Sequence, residues 1–148
     1  MEKITSILSK KEPHFHTVSP NTTAEKALGQ MCSENVDHLI VVDDHENYLG
    51  LISEHDIASK VLFANKQMTK TIVEDIMDKK LPAANTDDTV ERCMQLMSRH
   101  HTRFLPVFEN FSFRGIICSE DLLEEAVHNR MGIFDESACR TGRFGVLI

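Results

Sequence analysis

The sequence predicts an α+β fold in which one unit is used twice. Three observations carry that expectation. Residues 49–57 read LGLISEHDI and residues 114–122 read RGIICSEDL, so Gly50 recurs as Gly115 and Asp56 as Asp121, each 65 positions later. Self-similarity at one long spacing marks a repeated structural unit. Ahead of each copy, apolar residues fall at i, i+3, i+4 and i+7: Ala24, Ala27, Leu28 and Met31 in one, Val90, Cys93, Met94 and Met97 in the other. That stripe belongs to an amphipathic helix. Between helix and motif each copy places two apolar runs around a polar turn, the mark of a hairpin.

Length and composition set the bounds. At 148 residues the chain fits one domain, while half of it would bury only roughly 60% of its unfolded surface and be marginal alone. The two halves are therefore expected to share one core. Hydrophobic content of 41% and charged content of 26% are ordinary for a globular protein. No apolar run approaches the ~18 residues of a membrane span, and residues 1–11 lack a signal-peptide core, so a cytoplasmic protein without membrane contact is expected. Cys32, Cys93, Cys118 and Cys139 form no CxxC pair, and three of them sit on otherwise apolar faces, which suits buried thiols in a reducing cytoplasm. A net charge of −7 argues against nucleic acid as a partner. Every arginine lies after residue 91.

Taken in order, each copy opens on a short apolar lead-in, KITSIL at residues 3–8 and IVEDIM at 72–77. Proline-containing stretches follow, His14-Phe15-His16-Thr17-Val18-Ser19-Pro20 and Leu81-Pro82-Ala83-Ala84, which favour extended backbone. The first copy is three residues longer here, in the part holding His14 and His16. Thr22 with Glu25 and Asp88 with Glu91 read as helix starts. The strands are 38–42 and 48–52, then 103–108 and 113–118. Pro106 lacks a ladder donor, which predicts an edge strand or a donor position facing outward. Closing helices carry Ile57, Ala58, Val61 and Leu62, and Leu122, Leu123, Ala126 and Val127. Residues 64–71 read as the linker between a first repeat at 1–65 and a second at 66–128. Residues 129–148 form a tail whose apolar end, 144–148, suggests docking on the body, a neighbouring subunit or a partner.

The doubled pattern, VDHLIVVDDHENYLGLISEHDI against TRFLPVFENFSFRGIICSEDLL, resembles a tandem cystathionine-β-synthase (CBS) domain pair, or Bateman module, across residues 1–128. The resemblance implies two β-α-β-β-α repeats packed by pseudo-two-fold symmetry into one module, often dimerising as a disc. It also implies an adenosine-ligand sensor with no catalytic role. The family motif, glycine, two apolar residues, Thr or Ser, two variable residues and Asp or Asn, is matched by Gly50 through Ser53 to Asp56. Asp56 would accept from both ribose hydroxyls, and Ser53 at a helix start would help hold phosphate. The same Ser-x-x-Asp is also a capping box, and both roles can coexist.

The second copy keeps Asp121 but has Cys118, a weak donor, where a hydroxyl is expected; Ser119 lies one residue off. It carries Arg103 where the family often places a phosphate-binding base, with His38 taken as the counterpart. Arg103 is always charged, whereas neutral His38 grips phosphate less well; a solvated strand-edge charge is the other reading of Arg103. An adenine slot is expected near Thr17, Val18 and Ile40, or Ala83, Ala84 and Leu105, positions that plain core packing also explains. At most one strong nucleotide site is expected. His14 and His16 share one face of an extended segment, but no partner at metal-ligand spacing accompanies them. Met31, Met94 and Met97 read as helix core facing the other copy.

The function expected is regulatory sensing of AMP, ADP, ATP or a related adenosyl ligand in the cleft between repeats, with no cofactor required. A homodimer acting on a separate enzyme or transporter chain would be the context. The alternative is a ligand-free dimerisation or interaction module, favoured by Cys118 and by the first copy's lack of arginine.

Overall fold

The structure, a computed structural model, describes residues 3–11 and 14–130, with the side chains of 129 and 130 excepted. Expectations for the 129–148 tail, Cys139 included, lie outside it save for the last backbone turn of one helix.

Each repeat is built on a three-stranded sheet. In the first, β1 (Thr17–Val18) pairs parallel with β2 (His38–Val42), which pairs antiparallel with β3 (Tyr48–Ser53). In the second, β4 (Ala84–Asn85), β5 (Phe104–Glu109) and β6 (Ser112–Cys118) repeat that order. The parallel steps require crossover helices, supplied by α2 (Ala24–Glu34) and α5 (Val90–His100). The lead-ins are α1 (Thr5–Lys10) and α4 (Val73–Ile76). After the hairpins come α3 (Glu54–Ile57), running on into a π-helical turn (Ala58–Leu62), and α6 (Ser119–Arg130). Two β-α-β-β-α repeats are thus present.

The crossover helices start one residue later than their sequence suggested. The Lys26 backbone N–H donates to Thr23 Oγ1 at 3.3 Å and the Arg92 N–H to Thr89 Oγ1 at 3.1 Å. Asp88 instead accepts from the Asn85 N–H at 2.8 Å, closing the turn before the cap. Residues read as a linker also serve α2: Thr71 and Met68 carbonyls accept from the Ala24 and Glu25 N–H groups at 2.8 and 3.1 Å. These satisfy donors that a helix start leaves orphaned.

Strand register fixes which residues correspond. His38 faces Ser53 and Phe104 faces Cys118, while Val41 faces Gly50 and Val107 faces Gly115. Counterparts are 66 positions apart before the hairpin turn and 65 after it, because the second turn is one residue shorter. This corrects one expectation: the counterpart of His38 is Phe104, and that of Arg103 is Asp37. The same bond marks both, Glu54 N–H to Asp37 O at 3.0 Å and Ser119 N–H to Arg103 O at 2.9 Å. Both hairpins carry a bulge at the same place, passing over Leu49 and Arg114. Pro106 lies in the central strand, not at an edge. Its counterpart, Ile40, donates to His16 O at 2.8 Å, whereas β4 pairs with β5 only from Val107 onward. The missing donor is therefore not called upon.

The apolar interior is three clusters, not one shared core. Met31, Leu39, Ile52, Ile57 and Val61 fill the first repeat, and Cys93, Leu96, Leu105, Ile117 and Leu122 the second. The lead-ins are exchanged: Val73 and Ile76 of α4 complete the first cluster, Ile4 and Ile7 of α1 the second. Matching backbone bonds accompany the exchange, Val73 N–H to Thr22 O at 2.8 Å and Ile4 N–H to Asp88 O at 3.1 Å. A third cluster, Ile40, Leu51, Phe104 and Ile116, joins the two sheets. Met31 and Met97 are buried within their own repeats, but Met94 and Cys32 are exposed, against expectation. Both lie on the outer flank of the amphipathic stripe, where burial ends.

Candidate ligand-binding cleft

Between the repeats lies a cleft of about 1080 Å³. His16, His38 and Ile40 wall it on the first-repeat side, and Gly115, Ile116 and Asp121 on the second, with Lys11 at the lead-in. The size suits a small ligand, since such sites are commonly ~300–1,000 Å³.

The two motif aspartates sit in matching positions with unequal surroundings. Asp56 closes a full capping box: its N–H donates to Ser53 Oγ at 3.2 Å, and its Oδ2 accepts from Ser53 N–H and Oγ, both at 3.0 Å. Its Oδ1 pairs with Lys60 at 3.0 Å, and Lys60 also donates to Ile76 O at 3.0 Å. Asp121 Oδ2 accepts from the Cys118 N–H at 2.9 Å and the Cys118 thiol at 3.1 Å. The position matching Lys60 is Glu125, and a cation for Asp121 comes instead from Lys11, at 2.7 Å. Glu125 itself pairs with Lys10 at 3.0 Å. Burial pushes the Asp121 carboxyl up, but the Cys118 backbone N–H and Lys11 outweigh it and hold it below its ordinary value. Burial, helped by that carboxylate, drives the Cys118 thiol up to about 12, so it stays neutral.

The matching edge strands differ as well. Along β3, Leu51 exchanges two backbone bonds with Asp78, N–H to O at 3.0 Å and the reverse at 2.8 Å. The counterpart of Asp78 in the first lead-in is Ser9, still inside α1, and Ile116 on β6 forms part of the cleft wall. The β3 edge at Leu51 is therefore covered by Asp78, and of the two motif aspartates Asp121 lines the cleft and Asp56 does not.

The remaining expected site residues are dispersed. His38, Ile40 and Asp121 meet at the cleft. Val18 and Ala84 are buried in the two repeat cores, and Thr17 and Ala83 are exposed beside them. Ser119 donates to Glu120 at 3.4 Å. Arg103 is committed elsewhere, Nη2 to Asp37 at 2.7 Å and Nη1 to Glu120 at 3.1 Å, with its guanidinium 4.8 Å from the Phe104 ring centre. His16 pairs with Glu34 at 3.2 Å, and among the described residues no cluster of three or more His, Cys, Asp or Glu is arranged to hold a metal. Lys11 and Arg114 also line the cleft, and neither was expected. The signal for Lys11 was present: Asp56 has a lysine four residues on, whereas Asp121 has a glutamate and needs a cation from elsewhere.

A CBS domain model matches residues 5–62 and again 73–128. Two similar proteins come from Methanocaldococcus jannaschii. One is an uncharacterized protein, MJ1404, 27% identical over 146 residues, covering 90% of this chain and 34% of that one. The other is an L-aspartate semialdehyde sulfurtransferase, 33% identical over 120 residues, covering 80% and 22%. The chain spans well under half the length of either. Among solved structures, a putative signal-transduction protein with CBS domains from Burkholderia ambifaria superposes with a TM-score of 0.80 at 28% identity, covering 86% of this chain and 96% of that one. CBSX2, in complex with AMP, superposes at 0.72 with 20% identity over 88% and 99%. With two model matches spanning most of its length, the chain belongs to the CBS-domain family.

Proposed function

We propose that this CBS pair is a non-catalytic regulatory module that binds an adenosine nucleotide in the cleft beside Asp121. The observation that carries it is an open inter-repeat cleft with a motif carboxylate in its wall. A carboxylate only accepts, and two oxygens match two ribose hydroxyls. The ribose falls to Asp121 rather than Asp56, because Asp121 lines the inter-repeat cleft and Asp56 does not. That a fold neighbour is solved with AMP supports the reading at the level of the fold. A ligand touching both walls favours one arrangement of the repeats, and only that difference in affinity carries a signal to a partner or a second copy. A neighbour of hexameric assembly, a CBS-CP12 protein, lends weight to self-association.

Calorimetric titration with AMP tests it. Binding is expected for the wild type, weakened about tenfold or more by Asp121→Asn and changed less than about twofold by Asp56→Asn. Loss of binding only in Asp56→Asn would move the site to the other motif. A second reading, an interaction module with no ligand, draws on the exposed Leu62 and Phe63, the latter 87% accessible. It predicts no heat with AMP and a surface variant, Phe63→Ser, that changes assembly.

A further inference from the structure

A nucleotide in the cleft needs a partner for its phosphate, and Arg103 is not free to be one. Both faces of its guanidinium fork are taken by Asp37 and Glu120, and it is not among the cleft's lining residues. Arg114 is. It sits at the β6 bulge, exposed, and among the described residues no carboxylate pairs with it. A bulge re-aims the residue it passes over. In the first repeat that residue is Leu49, which packs against the repeat's own core; in the second it is a guanidinium on the cleft wall.

The other permanent charges lining the cleft sharpen the point. Lys11 is held by Asp121 at 2.7 Å. Glu34 and Glu109 add negative charge, and Glu34 is engaged by His16 and Gln30. Arg114 is thus the single uncommitted permanent cation among the described lining residues. One phosphate can use its planar fork; each further phosphate adds charge with no cation to meet it and two glutamates nearby.

We propose that Arg114 is the phosphate-binding residue of the cleft and that the cleft selects a nucleoside monophosphate over the triphosphate. This rests on the nucleotide reading above. It goes further in naming the anchor and the phosphorylation state.

The test is calorimetric titration of the full chain with adenosine, AMP and ATP, with circular dichroism confirming that each variant is folded. Wild type is expected to bind AMP about tenfold or more tighter than adenosine and than ATP. Arg114→Ala brings AMP down to the adenosine level while moving adenosine less than about twofold, and Arg114→Lys recovers part of the preference. Arg103→Ala leaves the preference in place. An AMP preference that survives Arg114→Ala, or ATP binding tighter than AMP, overturns the proposal while the nucleotide reading stands. Binding of neither adenosine nor AMP by wild type overturns the nucleotide reading itself, and this proposal with it.

Discussion

Asp37 and Arg103 hold the same position in the two repeats and bind each other, Nη2 to Oδ2 at 2.7 Å. A residue can touch its own counterpart only close to the axis that relates the copies. Two further pairs do so: His38 and Phe104, ring centres 4.8 Å apart, and Tyr48 and Phe113, stacked at 4.8 Å with 15° between planes. The repeats therefore meet along a pseudo-two-fold axis, and at its charged end an aspartate faces an arginine where strict duplication would have set like against like.

Breaking that pair tests whether it ties the repeats together. Both side chains are nearly half exposed, 44% and 46%, so solvent screening limits the pair to about 0.5–1 kcal/mol. Arg103→Ala is expected to lower Tm by about 2–4 °C, with a smaller loss in an Asp37→Ala background, where only its contacts to Glu120 and Phe104 remain to be removed. Acid adds a second reading. Burial raises the Asp37 carboxyl, but hydrogen bonds from His38 and Arg103 and their charges outweigh it and hold it below its ordinary value. A depressed carboxyl contributes above the unfolded pKa of about 3.9 and loses that contribution as pH falls through the folded value. Urea melts between about pH 5 and 3 should therefore show a shallower acid loss in Arg103→Ala. Equal acid limbs would sink the claim that this pair contributes.

Gly50 is the second test, because here the need for glycine is steric. An added Cβ would stand 2.6 Å from Asp78 O, the carbonyl that accepts from Leu51 N–H. Backbone must move, and two strand bonds go with it, a cost of about 2 kcal/mol or more. Gly115 differs: its neighbours are flexible side chains, Leu8 at 3.4 Å and Phe15 at 3.6 Å, and its constraint is a φ of +140°. Both alanine variants should be less stable. Only Gly50→Ala should speed amide exchange at Asp78; if exchange there is unchanged, the edge is not what requires the glycine.

What could be read in the sequence followed from residue types that recur at fixed spacing. The paired glycines and aspartates, the two helical stripes and the two hairpins all fold as their patterns indicate. The exchanged lead-ins were not legible. Ile4 and Val73 sit in sequence beside one core and pack in the other, and an apolar segment carries no mark of which neighbour it will cover. Register slipped by one at His38 because hairpin turns of unequal length change the offset inside the repeat. At the site, the motif led to Asp56 through its better hydroxyl, yet the motif aspartate that lines the cleft is Asp121, and nothing in the motif itself marks which copy faces the cleft. That Arg114 lines the cleft was illegible for a related reason: a bulge is a property of paired strands, not of the residue it passes over.

Cys118 offers a gain rather than a loss. In the first repeat the Ser53 hydroxyl both donates to Asp56 and accepts from its N–H, completing the box. In the second the thiol donates to Asp121 at 3.1 Å, and sulfur is a weak acceptor for the N–H in return. Cys118→Ser restores the oxygen on the same backbone, with Cys118 N–H to Asp121 Oδ2 already in place at 2.9 Å. A completed N-cap is worth about 0.5–1 kcal/mol, set against the smaller volume of oxygen at a partly buried position. We expect Tm to rise by about 1–3 °C, and slower amide exchange over the first turn of α6. A serine variant that melts lower, with faster exchange there, would show that the thiol is held for its packing and that the second motif does not need the hydroxyl of the first.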